Sequence, residues 1–421
     1  MRKLKPERFT AVVFIFAITA FMLMSFYSVA ARTHDMIEQP RGEIPVDWQK
    51  IYPFDDGRRE ESQSQKISSL FGYIVSRLEK YTSEMLPGYH KMVEAAKKYE
   101  DSARWNMVSV ADYNAVTRLK DGYLASYTPS RDIAYDAESL KAFAVFCAER
   151  GIDLAYIAFP SKICVSDDRE ISGLLDFSNQ NTDRLLDMLK DSGVKHYDFR
   201  KNLHAAGMNH HQSFFRTDLH WKPETGLWAA GEILKILRDN FGWDVNPGAL
   251  KPENFRYEIY RDWYLGVRGK KATLARTKPE DFTLIYPKFG VSLKFEVQSL
   301  GVNLSGDFGI IYDMKQVEPK DYYGKDSYAA YIYENNPLVR MENFSRKNGK
   351  RLLIIKDSFS NCVIPFIALE VQHVDVLDLR YFTGSVRNFA DTVKPDAVLV
   401  MYYAAIPGRA DKNEKSLWDF R

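Results

Sequence analysis

Three regimes of apolar and polar positions follow one another along the chain. Residues 9–31, FTAVVFIFAITAFMLMSFYSVAA, are an uncharged run of 23. At ~1.5 Å per residue such a run can cross a bilayer as a helix. Residues 32–60 are polar, with Pro40, Pro45, Pro53 and Gly57, and read as a linker. From Ile67 the apolar residues recur at i, i+3, i+4: Ile67, Leu70, Phe71, Ile74, Val75, Leu78, Tyr81 and Met85. This spacing predicts an amphipathic helix that stops at Pro87, and a second helix is predicted over about 88–104.

From about residue 120 the pattern becomes an alternation of strands and helices. Residues 122–127 read as a strand, and 137–150 as a helix with Asp136 as N-cap and Gly151 beyond its end. The run DLAYIAF at 153–159 is apolar throughout and stopped by Pro160, as in a strand buried on both faces. A helix over 180–192 ends at Gly193, and 194–199 read as a short strand. Pro223 opens a strong helix to about Phe241. Between about 245 and 345 the rhythm breaks into β-like pieces at 282–286, 291–297 and 308–312, read as a β-rich insertion. It then resumes with a strand at 352–356, a helix over about 360–370, and strands at 373–379 and 397–403. The β-α-β order predicts an α/β fold with a central parallel sheet and helices on both faces. The expected domains are therefore 1–31, a cytoplasmic tip and anchor; 32–119, a linker and helical stalk; and 120–421, the main domain.

Charge orients the chain. Arg2, Lys3, Lys5 and Arg8 precede the apolar run against Glu7 alone, which puts the amino terminus in the cytoplasm and the rest outside. Val29-Ala30-Ala31 offers a small-residue cleavage site, but the run exceeds the 7–15 residues usual for a signal peptide, so an uncleaved single-pass anchor is expected. Overall, 58 basic residues balance 56 acidic ones, which speaks against a nucleic-acid partner. The three cysteines, Cys147, Cys164 and Cys362, show no metal-ligand spacing, so neither a cysteine zinc site nor a disulfide framework is expected. Half of the eight histidines, His204, His210, His211 and His220, crowd a short stretch with Asp218, but they match no zinc signature and no metal or other cofactor is expected. Basic and aromatic residues interleave from Arg256 to Arg276; this reads as a solvated basic face, with an acidic polysaccharide or anionic lipid as the alternative occupant.

Two constellations carry candidate chemistry. One is Asp218-Leu219-His220-Trp221 ahead of the helix at Pro223; the other is Lys356-Asp357-Ser358 at a strand-to-helix turn. Acyl transfer needs a nucleophile, a base and an orienter for the base. Ser358 lies where a buried strand ends and a helix begins, a position whose free N–H groups favour a developing anion. An imidazole with pKa near ~6.5 makes His220 the candidate base, and Asp218 can hold its tautomer. Each motif taken singly is weak, since an Asp or Ser at such a turn is often only a cap.

The pieces Phe159-Pro160-Ser161-Lys162, Arg216-Thr217-Asp218-Leu219-His220-Trp221, Pro287-Lys288-Phe289, Ile355-Lys356-Asp357-Ser358-Phe359, Pro365-Phe366 and Asp378-Leu379-Arg380-Tyr381 resemble, in order, the bacterial DHHW family. That family is related to the SGNH-hydrolase-like proteins that O-acetylate alginate. The resemblance implies an SGNH-like three-layer fold and a triad of Asp218, His220 and Ser358. It also implies acyl, above all acetyl, transfer to or from a cell-surface polysaccharide outside the membrane. A multi-spanning membrane O-acyltransferase is the implied donor partner. The chain departs from the family name at Leu219, where the first His is absent, and from SGNH hydrolases at Lys356, where Gly precedes the Asp-Ser pair. The Ser358 N–H, Asn361 and Gly266 are the oxyanion candidates, and Arg380 and Trp221 are candidates for substrate contact. A non-catalytic binding or assembly protein is the competing reading.

Overall fold

The computed structural model describes residues 116–119, 122–164, 176–410 and 416–421. The expected anchor, linker and stalk helices lie outside these residues. Among the described residues no helix is long and apolar enough to cross a membrane.

In chain order the elements are β1 (Thr117–Arg118), β2 (Leu124–Ala125), α1 (Ala134–Ala148), β3 (Asp153–Phe159), α2 (Ser178–Leu189), β4 (Lys195–Asp198), α3 (Phe199–Ala205) and α4 (Pro223–Phe241). There follow β5 (Phe255–Tyr264), α5 (Val267–Ala272), β6 (Glu280–Pro287), β7 (Leu293–Val297), β8 (Val302–Gly306) and β9 (Leu338–Asn343). The chain closes with β10 (Arg351–Lys356), α6 (Ile364–Ile367), β11 (His373–Leu377), α7 (Val386–Val393) and β12 (Ala397–Tyr403).

Eight strands form one sheet in the order β4-β3-β12-β10-β11-β9-β7-β8. From β4 to β11 neighbours run parallel, while β9, β7 and β8 are added antiparallel. The sheet is thus mixed rather than purely parallel. Burial explains the division. The parallel β3, β10 and β12 are covered on both faces and read as unbroken apolar runs. In β7, LKFEV alternates buried and half-buried positions, as an antiparallel strand with one solvated face does.

The β-rich stretch is accordingly not a separate insertion. Its β7, β8 and β9 extend the main sheet, and only β5 and β6 pair apart as a hairpin. Residues 308–312 are not a strand: Phe308–Ile311 is a 3-10 turn, capped by the Asp307 carboxylate accepting from the Gly309 N–H. The strand expected over 122–127 shrinks to the two residues of β2.

Alternation along β10 sends Leu352 and Ile354 into one core and Leu353 and Ile355 into the other. The first core packs under α4, the second under α1, α2, α7 and the carboxyl-terminal Trp418 and Phe420. Three layers result, as expected. Helix α4 starts at Pro223 and ends before Gly242, which takes the left-handed conformation at φ 69°. Helix α1 begins earlier than expected, so Asp136 is not its N-cap; it is buried and accepts from the Gly408 N–H (2.5 Å) and the Ser416 hydroxyl (3.3 Å), tying the tail to α1. The helix expected over 360–370 is a 3-10 turn, Ser358–Cys362, followed by the single turn α6. Pro365 has no N–H to continue a helix across that point.

Candidate active site

Strand β10 delivers Asp357 and Ser358 to the carboxyl edge of the sheet. Asp357 does not point outward. Its carboxylate accepts from the Phe359 N–H (2.7 Å) and from the Tyr403 N–H at the end of β12 (2.7 Å). Both bonds pin the turn, and Ser358 opens the 3-10 helix with only 9 % of its surface exposed.

Asp218 and His220 come from a tight loop ahead of α4. A bridge between Phe214 and Trp221 closes its base, and the Phe215 N–H donates to the His220 carbonyl (3.1 Å). The Glu280 carboxylate accepts from the N–H groups of Arg216 (2.7 Å) and Thr217 (2.6 Å) and from the Thr217 hydroxyl (2.5 Å). The loop presents His220 so that Nε2 lies 2.7 Å from the Ser358 Oγ and Nδ1 lies 2.6 Å from the Asp218 Oδ2. An ionised carboxylate has no proton to give, so Nδ1–H donates to Asp218 and Nε2 accepts from the serine hydroxyl.

Burial alone would raise the pKa of Asp218. The charge and hydrogen bond of His220, with Lys162 nearby, outweigh it and hold the carboxyl below the usual carboxylate range. Lys162 is buried beneath the same loop. Its ammonium donates to the carbonyls of Leu124 (2.7 Å) and Arg216 (3.3 Å) and to that of Asp218. Desolvation, with Arg268 adding to it, pushes Lys162 down to about 7, against the pull of Asp218 and Glu280.

The structure redistributes the remaining candidates. The N–H of Gly266 is committed to the Thr217 hydroxyl (3.0 Å), so it is not an oxyanion donor. The role of Gly266 is steric: a Cβ there would lie 2.2 Å from the Asp218 Cβ. Its neighbour Val267 donates its N–H to the Asp218 Oδ1 (3.1 Å). Asn361 is turned into the interior, accepting from the Lys356 ammonium (2.7 Å) and directing its Nδ2 at Asn335. Trp221 is fully buried and donates to the Phe359 carbonyl (2.8 Å), so it supports the turn and does not reach substrate. Arg380 grips Asp378 with two bonds of 2.8 and 2.6 Å, yet it also lines the cavity that contains Ser358. Lys356, in place of the usual glycine, makes a fully buried ion pair with Asp378 (3.2 Å). The clustered histidines part company: His220 joins Asp218 and Ser358, while His204 and His210 face Cys164.

One residue of the site, Tyr328, escaped the sequence reading. Tyr328 lies in a stretch with no motif. Its ring stacks on His220 with centroids 3.9 Å apart at 10°, and its hydroxyl donates to the carbonyls of Ser358 (3.0 Å) and Phe359 (3.2 Å). Arg268, expected on a solvated basic face, instead lines the Ser358 cavity with a buried Nε that has no hydrogen-bond partner among the described residues. That cavity has a volume of about 530 Å³ and is also walled by Leu219, Lys271 and Tyr403.

Residues 121–260 match the family model described as the SGNH hydrolase-like domain of the acetyltransferase AlgX. No curated protein matches the chain. Among solved structures, Bacillus cereus PatB1 with a sulfonyl adduct is similar at 19 % identity and TM-score 0.57, over 73 % of this chain and 98 % of that one. A DHHW family protein from Eubacterium siraeum is similar at 18 % identity and TM-score 0.52, over 70 % of this chain and 92 % of that one. The resemblance read from the sequence is thereby borne out: residues 121–260 match an SGNH hydrolase-like domain, and the fold is shared with a DHHW family protein.

Proposed function

We propose that this chain transfers an acyl group, above all acetyl, to or from a polysaccharide of the cell surface, with Ser358 as nucleophile. One observation carries the reading: a single imidazole bridges a buried carboxylate and a serine hydroxyl at 2.6 and 2.7 Å. The match to an acetyltransferase domain supports it.

In this mechanism Ser358 Oγ attacks the acyl carbonyl and His220 Nε2 takes the hydroxyl proton. Asp218 balances the imidazolium that forms. The tetrahedral intermediate collapses, the donor oxygen leaves with the proton from His220, and the acyl group stays on Ser358. A sugar hydroxyl or water then gives its proton to His220 and attacks the ester, and His220 returns that proton to the departing Ser358 Oγ, releasing the acylated sugar or the free acid and regenerating the serine. The Ser358 N–H and the Arg268 guanidinium are the candidates to hold the oxyanion. Arg268, Lys271 and Arg380 line the cavity and favour a polymer that carries carboxylates. The chain acts outside the membrane, anchored by residues 9–31, with a multi-spanning membrane O-acyltransferase as donor partner.

The test is covalent trapping. Full-length protein treated with an aryl sulfonyl fluoride is expected to gain one sulfonyl group, mapped by peptide mass spectrometry to Ser358. Ser358→Ala is expected to abolish labelling. His220→Ala is expected to slow it, and to lower turnover of an acetyl ester, on the order of a thousandfold. Absence of labelling with unaltered polymer acetylation in a Ser358→Ala strain would leave a binding or assembly role instead.

A further inference from the structure

A second set of donor atoms, one of them on the loop that follows β3, gathers outside the Ser358 cavity. The Cys164 Sγ is 3.9 Å from Nε2 of His204. The rings of His204 and His210 stack with centroids 5.3 Å apart. One donor atom from each of Cys164, His204 and His210 lies within 4.8 Å of the other two.

His210 shows which atom is offered. Its Nε2–H donates to the carbonyls of Ser161 (3.0 Å) and Lys162 (3.1 Å), so the lone pair sits on Nδ1. That Nδ1 is buried and, among the described residues, has no hydrogen-bond partner. A buried acceptor left unpaired costs about 1–3 kcal/mol, which a bound cation would offset. A backbone carbonyl on the far nitrogen is also how metal-ligating histidines have their tautomer and ring orientation set.

We propose that Cys164, His204 and His210 form a binding site for a zinc-class divalent cation. One thiolate and two imidazoles suit Zn2+ and its congeners, whereas Mg2+ and Ca2+ seek oxygen donors. Tetrahedral zinc, with bonds of ~2.3 Å to sulfur and ~2.0 Å to nitrogen, sets neighbouring donors about 3.5 Å apart. The Cys164–His204 distance of 3.9 Å is already close to that. Rotation of the exposed His204 side chain closes the remainder.

The ion would act as a clamp. None of the three ligands lines the Ser358 cavity, but Ser161, Lys162 and Ile163 do. The site joins that wall to the end of α3, which carries His204, and to the turn at His210. Forty residues separate Cys164 from His204 in sequence, which is why no ligand spacing was visible there.

The test uses the full-length chain, stripped with a chelator and titrated with Co2+ and then Zn2+. One equivalent of Co2+ is expected to produce a thiolate-to-cobalt charge-transfer band that Zn2+ bleaches. Cys164→Ser is expected to abolish the band, and His204→Ala to weaken binding by about tenfold or more. Both side chains are partly or fully exposed, so neither change threatens folding. Zn2+ is expected to raise the Tm of the parent and not of Cys164→Ser. No band, a band that persists in Cys164→Ser, or an equal rise in Tm in both proteins would overturn the proposal.

Discussion

The ring of Tyr328 lies flat against the imidazole of His220, 3.9 Å between centroids and 10° from parallel. Its hydroxyl reaches past the histidine to the carbonyls of Ser358 and Phe359 and to the Cys362 sulfur (3.4 Å). One residue therefore braces both the candidate base and the turn that carries the candidate nucleophile. Its own position comes from a 3-10 turn capped by Asp326. Tyr328→Phe keeps the ring and is expected to leave the rate of Ser358 sulfonylation within about tenfold of the parent. Tyr328→Leu removes the stack and is expected to cost about a hundredfold, the penalty of an ångström-scale misplacement. Equal rates in the two variants would show that the stack does not position His220.

Gly266→Ala is expected to damage the site without touching it chemically. The added Cβ would meet the Asp218 Cβ at 2.2 Å and its Cα at 2.7 Å, and backbone cannot yield as a flexible side chain can. The displaced carboxylate would no longer orient His220, and sulfonylation should slow about a hundredfold. Gly231→Ala in α4 is the control: its nearest neighbour would be the Leu250 Cβ at 4.0 Å. That change is expected to stabilise the helix by about 0.5–1 kcal/mol.

The buried ion network behind Ser358 should respond asymmetrically. Asp378 is shared by Lys356 (3.2 Å) and Arg380 (2.6 Å). Lys356→Met leaves Asp378 paired with Arg380. Asp378→Asn strands two cations, one of them fully buried, and is expected to cost about 3–5 kcal/mol in urea unfolding. Lys356→Met should cost less. The reverse order would mean that Arg380 does not neutralise Asp378.

Asp136 should make the fold acid-tolerant. Its burial raises the carboxyl to about 7, against the lowering effect of the Gly408 N–H and the Ser416 hydroxyl. The folded state then binds the proton more tightly than the unfolded state. Stability from this group is fully present below the unfolded value, near pH ~4, and is lost as pH rises through about 7. Asp136→Asn keeps an acceptor for Gly408 and a donor for Ser416. Urea midpoints measured from pH 4 to 8 are expected to decline in the parent and to flatten in the variant. Parallel profiles would refute this assignment.

Much of the scaffold was legible in the chain because its cause is local. Strands β3 and β12 and helix α4 matched their expected bounds: a strand buried on both faces must be an apolar run, and Pro and Gly punctuate a helix through their own φ angles. Strand β5 was missed because its exposed face makes it read as a basic, aromatic surface. The three antiparallel strands of the sheet were misread as an insertion, since short alternating pieces carry no mark of which strand they join.

The sequence by itself determined which residues could do chemistry: a serine at a strand end, an imidazole with a carboxylate two positions before it, and thiol and imidazole donors scattered between. Tertiary structure alone decided which of them meet. Strand order carries Ser358 to His220 across 138 positions, brings Tyr328 from a featureless stretch onto the imidazole, and turns Cys164 toward His204. Such encounters depend on how sheet and loops close in space. Periodicity reports only what each segment buries, so it leaves no record of them.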